Sequence, residues 1–148
     1  MNLPNKLTVS RLALTVFFLL ALFIDFPFHF TVALVFFVAA SLTDLFDGII
    51  ARRRNLITAF GKLMDPLADK VLICSAFIAF IELEWMAAWM VILIVARELA
   101  ITGLRLLAAN KNLVLAAERQ GKNKTIFQIT AIIALLVTHS HADWGIVG

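Results

Sequence analysis

The sequence predicts an all-α, polytopic transmembrane helix bundle. Three observations carry this. Residues of the set Ala, Val, Ile, Leu, Met, Phe, Trp, Tyr and Cys make up 62 % of the 148 positions. Soluble domains hold about 45–50 % even with glycine included, and a chain this short has too much surface to hide the excess. The apolar residues gather in five runs: Leu12–Ile24, Phe30–Leu42, Val71–Ile81, Trp85–Ala96 and Ile126–Val137. When these runs alternate in direction, all 13 lysines and arginines fall on the side that holds the N-terminus.

The first run follows Lys6 and Arg11, as the core of a signal peptide would. Asp25-Phe26-Pro27 comes next instead of a small-residue cleavage site, so the run reads as a retained first span that reaches back to Leu7. The second extends through Asp44 and Asp47. The third reaches back to Asp65, with Pro66 in its first turn, where a missing N–H costs little. The fourth continues through Arg97, Glu98 and Arg105 to Ala109, and the fifth reaches back to Lys122. Each extension brings an 11–13-residue run toward the ~20 residues that a spanning helix needs. Thr8 and Arg11 are expected in a short interfacial N-terminal helix, and residues 138–148, with His139 and His141, in a polar, solvated tail. Trp85, Trp89 and Trp144 suit an interfacial aromatic belt. Cys74 is the single cysteine and reads as a small packing residue.

The basic side is the cytoplasmic one by the positive-inside rule. This places the N-terminus and the segment 44–70 in the cytoplasm and makes the chain an integral protein of the cell (inner) membrane. Residues 1–148 form a single domain. The net charge of +3 is modest, and no nucleic acid partner is expected.

Four of the ten acidic residues lie in the stretch TDLFDGIIARRRNLITAFGKLMDPLADK, residues 43–70. Asp44, Asp47, Gly48, Ala51 and Arg52 fall at i, i+3, i+4, i+7 and i+8, which is one helical face. Leu45, Phe46, Ile49 and Ile50 take the opposite face. Gly61, Asp65 and Asp69 repeat the pattern on the next helix. An ionisable face within a membrane helix points into the bundle or a watery cavity, and two helices joined by a short loop are expected to be neighbours. Carboxylates that converge either take up protons or share cations. With no His or Cys beside them the donor set is all oxygen, which suits Mg²⁺ or Mn²⁺. Arg52 can grip a phosphate bidentately. Alternatively, the aspartates pair at the membrane surface with Arg52, Arg53, Arg54 and Lys62, at little energetic consequence.

The pattern Asp44-x2-Asp47-Gly48-x2-Ala51-Arg52-x8-Gly61-x3-Asp65-x3-Asp69 resembles the signature of the CDP-alcohol phosphatidyltransferase family. NLPNKLTVSRL, ARELAITGLRLLAA and GKNKT resemble the branch of that family whose acceptor is glycerol 3-phosphate, so the likeness runs along the whole chain. Members typically have six spans, of which this sequence shows five; a sixth would be expected to begin near DWGIVG. The resemblance implies transfer of the phosphatidyl group from CDP-diacylglycerol to glycerol 3-phosphate, with release of CMP. It implies two divalent cations, Mg²⁺ or Mn²⁺, held by Asp44, Asp47, Asp65 and Asp69. Gly48, Ala51, Arg52, Thr58 and Gly61 would line the CDP-diacylglycerol site, and Asp69 would be the base that deprotonates the acceptor hydroxyl. It also implies a homodimer surrounded by membrane lipids.

A phosphorylated acceptor needs a basic pocket. The candidates are Arg105 on the fourth helix and Lys122, Lys124 and Thr125 at the start of the fifth, where a helix N-terminus favours anions. Lys122 and Lys124 could instead anchor to anionic headgroups, and Arg97 with Glu98 could form a buried ion pair that positions its helix. Phosphatidylglycerol or inositol phosphate are alternative acceptors for the same chemistry. A divalent-cation transporter is the alternative from another class, since intramembrane aspartates also mark ion pathways.

Overall fold

The computed structural model describes residues 3–54, 59–111 and 118–145. Within the helices, the side chains of Gly48, Ala51, Arg52, Gly61, Asp65 and Lys122 lie outside the described set, as does Thr58 altogether. Among the described residues there are five helices: α1 (Leu3–Phe23), α2 (His29–Arg54), α3 (Ala59–Glu82), α4 (Ala88–Asn110) and α5 (Glu118–Gly145). Each exceeds its apolar run because the polar extensions continue the same helix. Among the described residues, stretches of α1, α2 and α5 are long and apolar enough to cross a membrane. α3 carries Asp69 and Lys70, and α4 carries Arg97, Glu98 and Arg105.

Three expectations are corrected here. Leu3–Phe23 is one uninterrupted helix, so Thr8 and Arg11 belong to the first span and not to a separate interfacial helix. Both are fully buried, or nearly so, which an interfacial position would not give. Pro66 lies well inside α3 and not in its first turn, because α3 begins at Ala59. Residues 138–145 are not a solvated tail but the last two turns of α5, since His139 and Ser140 have a packed surface to cover.

α1 packs along both α2 and α3; α5 packs along α2 and touches α3; α4 lies against α3. Among the described residues, α2 and α3 therefore face one another chiefly across α1 and α5. The core between them is apolar: Phe18 and Leu22 from α1, Phe37 from α2, Phe80 from α3, Ile132 and Leu136 from α5. Ala33, Ala40 and Ala76 are also buried, and small residues let membrane helices approach closely. Large apolar side chains such as Phe17, Val35, Leu45, Phe46, Ile92 and Phe127 face outward. An outward-facing apolar surface this extensive fits lipid and not water.

The α1–α2 and α3–α4 turns are closed by local devices. Pro27 breaks the chain between α1 and α2, and Phe28 takes a left-handed conformation, φ 64°. At the end of α3, Trp85 N–H donates to Phe80 O at 2.9 Å and Glu84 N–H to Ile81 O at 3.0 Å. That is a Schellman closure with Glu84, φ 60°, where glycine is usual. The end of α5 folds onto these turns. Asp143 Oδ2 accepts the Phe30 N–H at 3.1 Å, satisfying a donor in the first turn of α2. His139 stacks on Trp85 at 3.6 Å between ring centroids, and Trp85 also packs against Phe30 and Phe80.

Candidate functional site

α2 does not stop at the end of its apolar run. It continues through the acidic stretch to Arg54, with the Thr43 hydroxyl donating back to Ala39 O at 2.8 Å in place of a competing turn. Its polarity is inverted relative to a water-soluble helix. Asp47 is buried, while Leu45, Phe46 and Ile49 are exposed. The expected acidic face thus points into the bundle.

What meets that face is Arg11 of α1. Its Nη1 lies 3.0 Å from Asp44 Oδ1, and its Nη2 donates to Asp47 Oδ2 at 2.6 Å. Arg11 is wholly buried, and its Nε–H has no partner among the described residues. The guanidinium fork suits this bridging geometry, which an ammonium could not reproduce. Arg53, one of the surface partners considered for the aspartates, is exposed. Among the described residues, Arg11 of α1 sits against the acidic face of α2, and Asp69 of α3 lies close enough to Asp44 to feel its charge. The buried carboxylate of Asp47 needs a cation beside it, and Arg11 supplies it while also reaching the part-exposed Asp44.

Asp69 of α3 completes this half of the site. It is partly buried and close enough to Asp44 and Arg11 to feel their charges. It also feels Lys70 and Lys124. Asp69 is therefore within electrostatic reach of both the Asp44 carboxylate of α2 and the lysines.

The basic cluster is built across α3, α4 and α5. Lys124 of α5 forms an ion pair with Glu98 of α4. Gln128 Nε2 donates to the same Glu98 oxygen at 3.4 Å, and Arg97 Nη1 lies 3.7 Å from it. One turn along, the Thr102 hydroxyl donates to Glu98 O at 2.7 Å and accepts from Lys70 Nζ. The expected Arg97–Glu98 pair is therefore present but loose, with Arg97 half exposed; the nearer partner of Glu98 is Lys124. Thr125 follows Lys124 and is half-buried, and Arg105 is exposed on α4.

The donor chemistry fits a hard divalent cation. Asp44 and Asp47 are oxygen donors one helical turn apart that already share a positive charge, and oxygen sets of this kind suit Mg²⁺ or Mn²⁺. Among the described residues no three His, Cys, Asp or Glu side chains are grouped to hold an ion; the Asp65 side chain lies outside them. Away from these groups, Phe18, Phe37, Phe77 and Phe80 fill the core of the bundle. A cavity of about 620 Å³ between α1 and α3, lined by Leu19, Phe23, Ser75, Ile78 and Glu82 among others, lies beyond them.

Sequence reasoning missed Lys70, Thr102 and Gln128. Lys70 directly follows Asp69, and Gln128 is a polar residue inside an apolar run, which was a usable signal. Thr102 carries none, since threonine is ordinary in membrane helices.

Comparison with known proteins gives a consistent set. A family model described as CDP-alcohol phosphatidyltransferase matches residues 1–147. A protein of Bacillus subtilis (strain 168) named CDP-diacylglycerol--glycerol-3-phosphate 3-phosphatidyltransferase is 43 % identical over 148 aligned positions, covering 92 % of this chain and 77 % of that protein. One of the same name from Rickettsia bellii (strain RML369-C) is 38 % identical over 136, covering 92 % and 75 %. A probable phosphatidylglycerophosphate synthase of Mycobacterium tuberculosis (strain ATCC 25618 / H37Rv) is 43 % identical over 134, covering 88 % and 64 %.

Proposed function

The chain belongs to the CDP-alcohol phosphatidyltransferase family, and from that premise we propose that it transfers the phosphatidyl group of CDP-diacylglycerol to glycerol 3-phosphate, giving phosphatidylglycerol phosphate and CMP. The observation that carries this reading is that two charged groups, Asp44 with Arg11 and Lys70 with Lys124, both act on Asp69. In this reading the first would serve the donor's diphosphate and the second the acceptor's phosphate.

Asp44, Asp47, Asp65 and Asp69 would hold Mg²⁺ or Mn²⁺. Bound there, the ions supply charge neutralisation on the donor's diphosphate and on the attacking and leaving oxygens. The chain's own residues do the rest. Gly48, Ala51, Arg52, Thr58 and Gly61 bind the CDP moiety of the lipid donor. Lys124, with Thr125, Lys122 and Arg105, would receive the acceptor's phosphate. Asp69 takes the proton from the acceptor hydroxyl as its oxygen attacks the β-phosphorus, and CMP leaves with the bonding electrons. Arg11 holds Asp44 and Asp47 at the right spacing. In the same reading the chain works as a homodimer in the cell (inner) membrane, with its basic end and this site in the cytoplasm.

The test is CMP release by the purified chain in detergent with CDP-diacylglycerol and Mg²⁺ or Mn²⁺. Glycerol 3-phosphate, inositol phosphate and phosphatidylglycerol are compared as acceptors. Metal-dependent release with glycerol 3-phosphate, lost in Asp69→Asn, is the expected result. Release only with another acceptor would overturn the choice of substrate.

A further inference from the structure

Glu98 is an acid at a place where an anion is to bind. It is nearly buried. Its carboxylate takes Lys124, Gln128 and Arg97, and its backbone carbonyl takes the hydroxyl of Thr102, which in turn receives Lys70. One turn of α4 thus fixes a cation from α3 and a cation from α5.

We propose that Glu98 and Thr102, one turn apart on α4, are the positioning residues of the acceptor site: the Glu98 carboxylate holds Lys124 and the Thr102 hydroxyl holds Lys70, so that the two lysines together receive a phosphomonoester. This rests on the transferase reading above. Lys70 and Lys124, with Arg97 beside them, bring positive charge to this site in excess of the one carboxylate of Glu98. A phosphomonoester near neutral pH carries about −1.5 to −2 and gains most from that excess. A phosphodiester headgroup carries only one negative charge, and a free alcohol none. Lys70 is anchored by a neutral hydroxyl and so keeps its full charge for the ligand. Lys124 gives up part of its rotamer freedom to Glu98 before the ligand arrives, which reduces the ordering cost at binding.

Glu98→Gln removes the anchor and keeps the shape. The expected result is a KM for glycerol 3-phosphate raised about tenfold or more, with the KM for CDP-diacylglycerol little changed; the thermal midpoint in detergent should fall, because Lys124 loses its counter-charge. Glu98→Asp should recover part of the loss. Thr102→Val, which frees Lys70 by the other route, should raise the same KM and no other. Direct titration of glycerol 3-phosphate into protein loaded with CDP-diacylglycerol and Ca²⁺ reads the same site without turnover, with glycerol as the control.

Unchanged acceptor affinity in both Glu98→Gln and Thr102→Val would overturn the proposal, as would equal losses for donor and acceptor. Wild-type protein that binds glycerol no worse than glycerol 3-phosphate would overturn it too. CMP release with glycerol 3-phosphate in that last case would leave the transferase reading standing alone. Tight binding of glycerol 3-phosphate without CMP release would do the reverse.

Discussion

Replacing Arg11 with methionine keeps most of the side-chain volume and removes the charge shared by Asp44 and Asp47. The Asp47 contact is the stronger, at 2.6 Å with its carboxylate only 8 % exposed. At an effective dielectric constant of about 20 the attraction is about 6 kcal/mol, and much of it offsets the cost of burying both charges. Asp44 is 39 % exposed, so solvent screens its share and it adds little. Truncating one partner of a buried pair costs about 3–5 kcal/mol, because the remaining charge is left uncompensated. The expected loss is therefore about 3–4 kcal/mol in EDTA. Unfolding by SDS in mixed micelles, followed by tryptophan fluorescence, measures it. Adding Asp47→Asn to Arg11→Met should recover a large part of the loss, since the stranded charge is gone. Mn²⁺ should also narrow the deficit, by placing a different cation against the same oxygens. An Arg11→Met protein within about 1 kcal/mol of wild type in EDTA would refute the claim that this guanidinium holds the site together.

Other outcomes test other parts of the structure. Asp69→Asn should lower CMP release by about 10²–10⁴-fold if Asp69 is the base, with donor binding retained in a direct titration. Chelation should abolish turnover, and Mg²⁺ or Mn²⁺ should restore it in a stopped assay. Glu84→Gly should raise stability by about 1 kcal/mol, because a left-handed residue with a Cβ carries that strain and the Schellman bonds survive; SDS unfolding reads the gain. Asp143→Ala removes the acceptor of the Phe30 N–H and should cost about 1 kcal/mol, as lost helix caps do, with kinetics at the distant charged end unchanged.

The sequence by itself determined the helices and the acidic face. Period and hydropathy are local quantities, so Asp44, Asp47 and the outward Leu45 and Phe46 could be placed before any packing was known. The spacing of the signature also identified the family, since eight fixed positions are a one-dimensional fact. Only the tertiary structure decided which charges meet. Arg11 and Asp47 are 36 positions apart, and Glu98 and Lys124 are 26 apart, and nothing in either segment names the other. Their pairing follows from burial: a charge carried inside a membrane bundle must find its counter-charge there, and helix packing alone sets which one is within reach. For the same reason residues 138–145 read as a tail in sequence but fold as the end of α5, because the surface they cover is assembled from α2 and the α3–α4 turn.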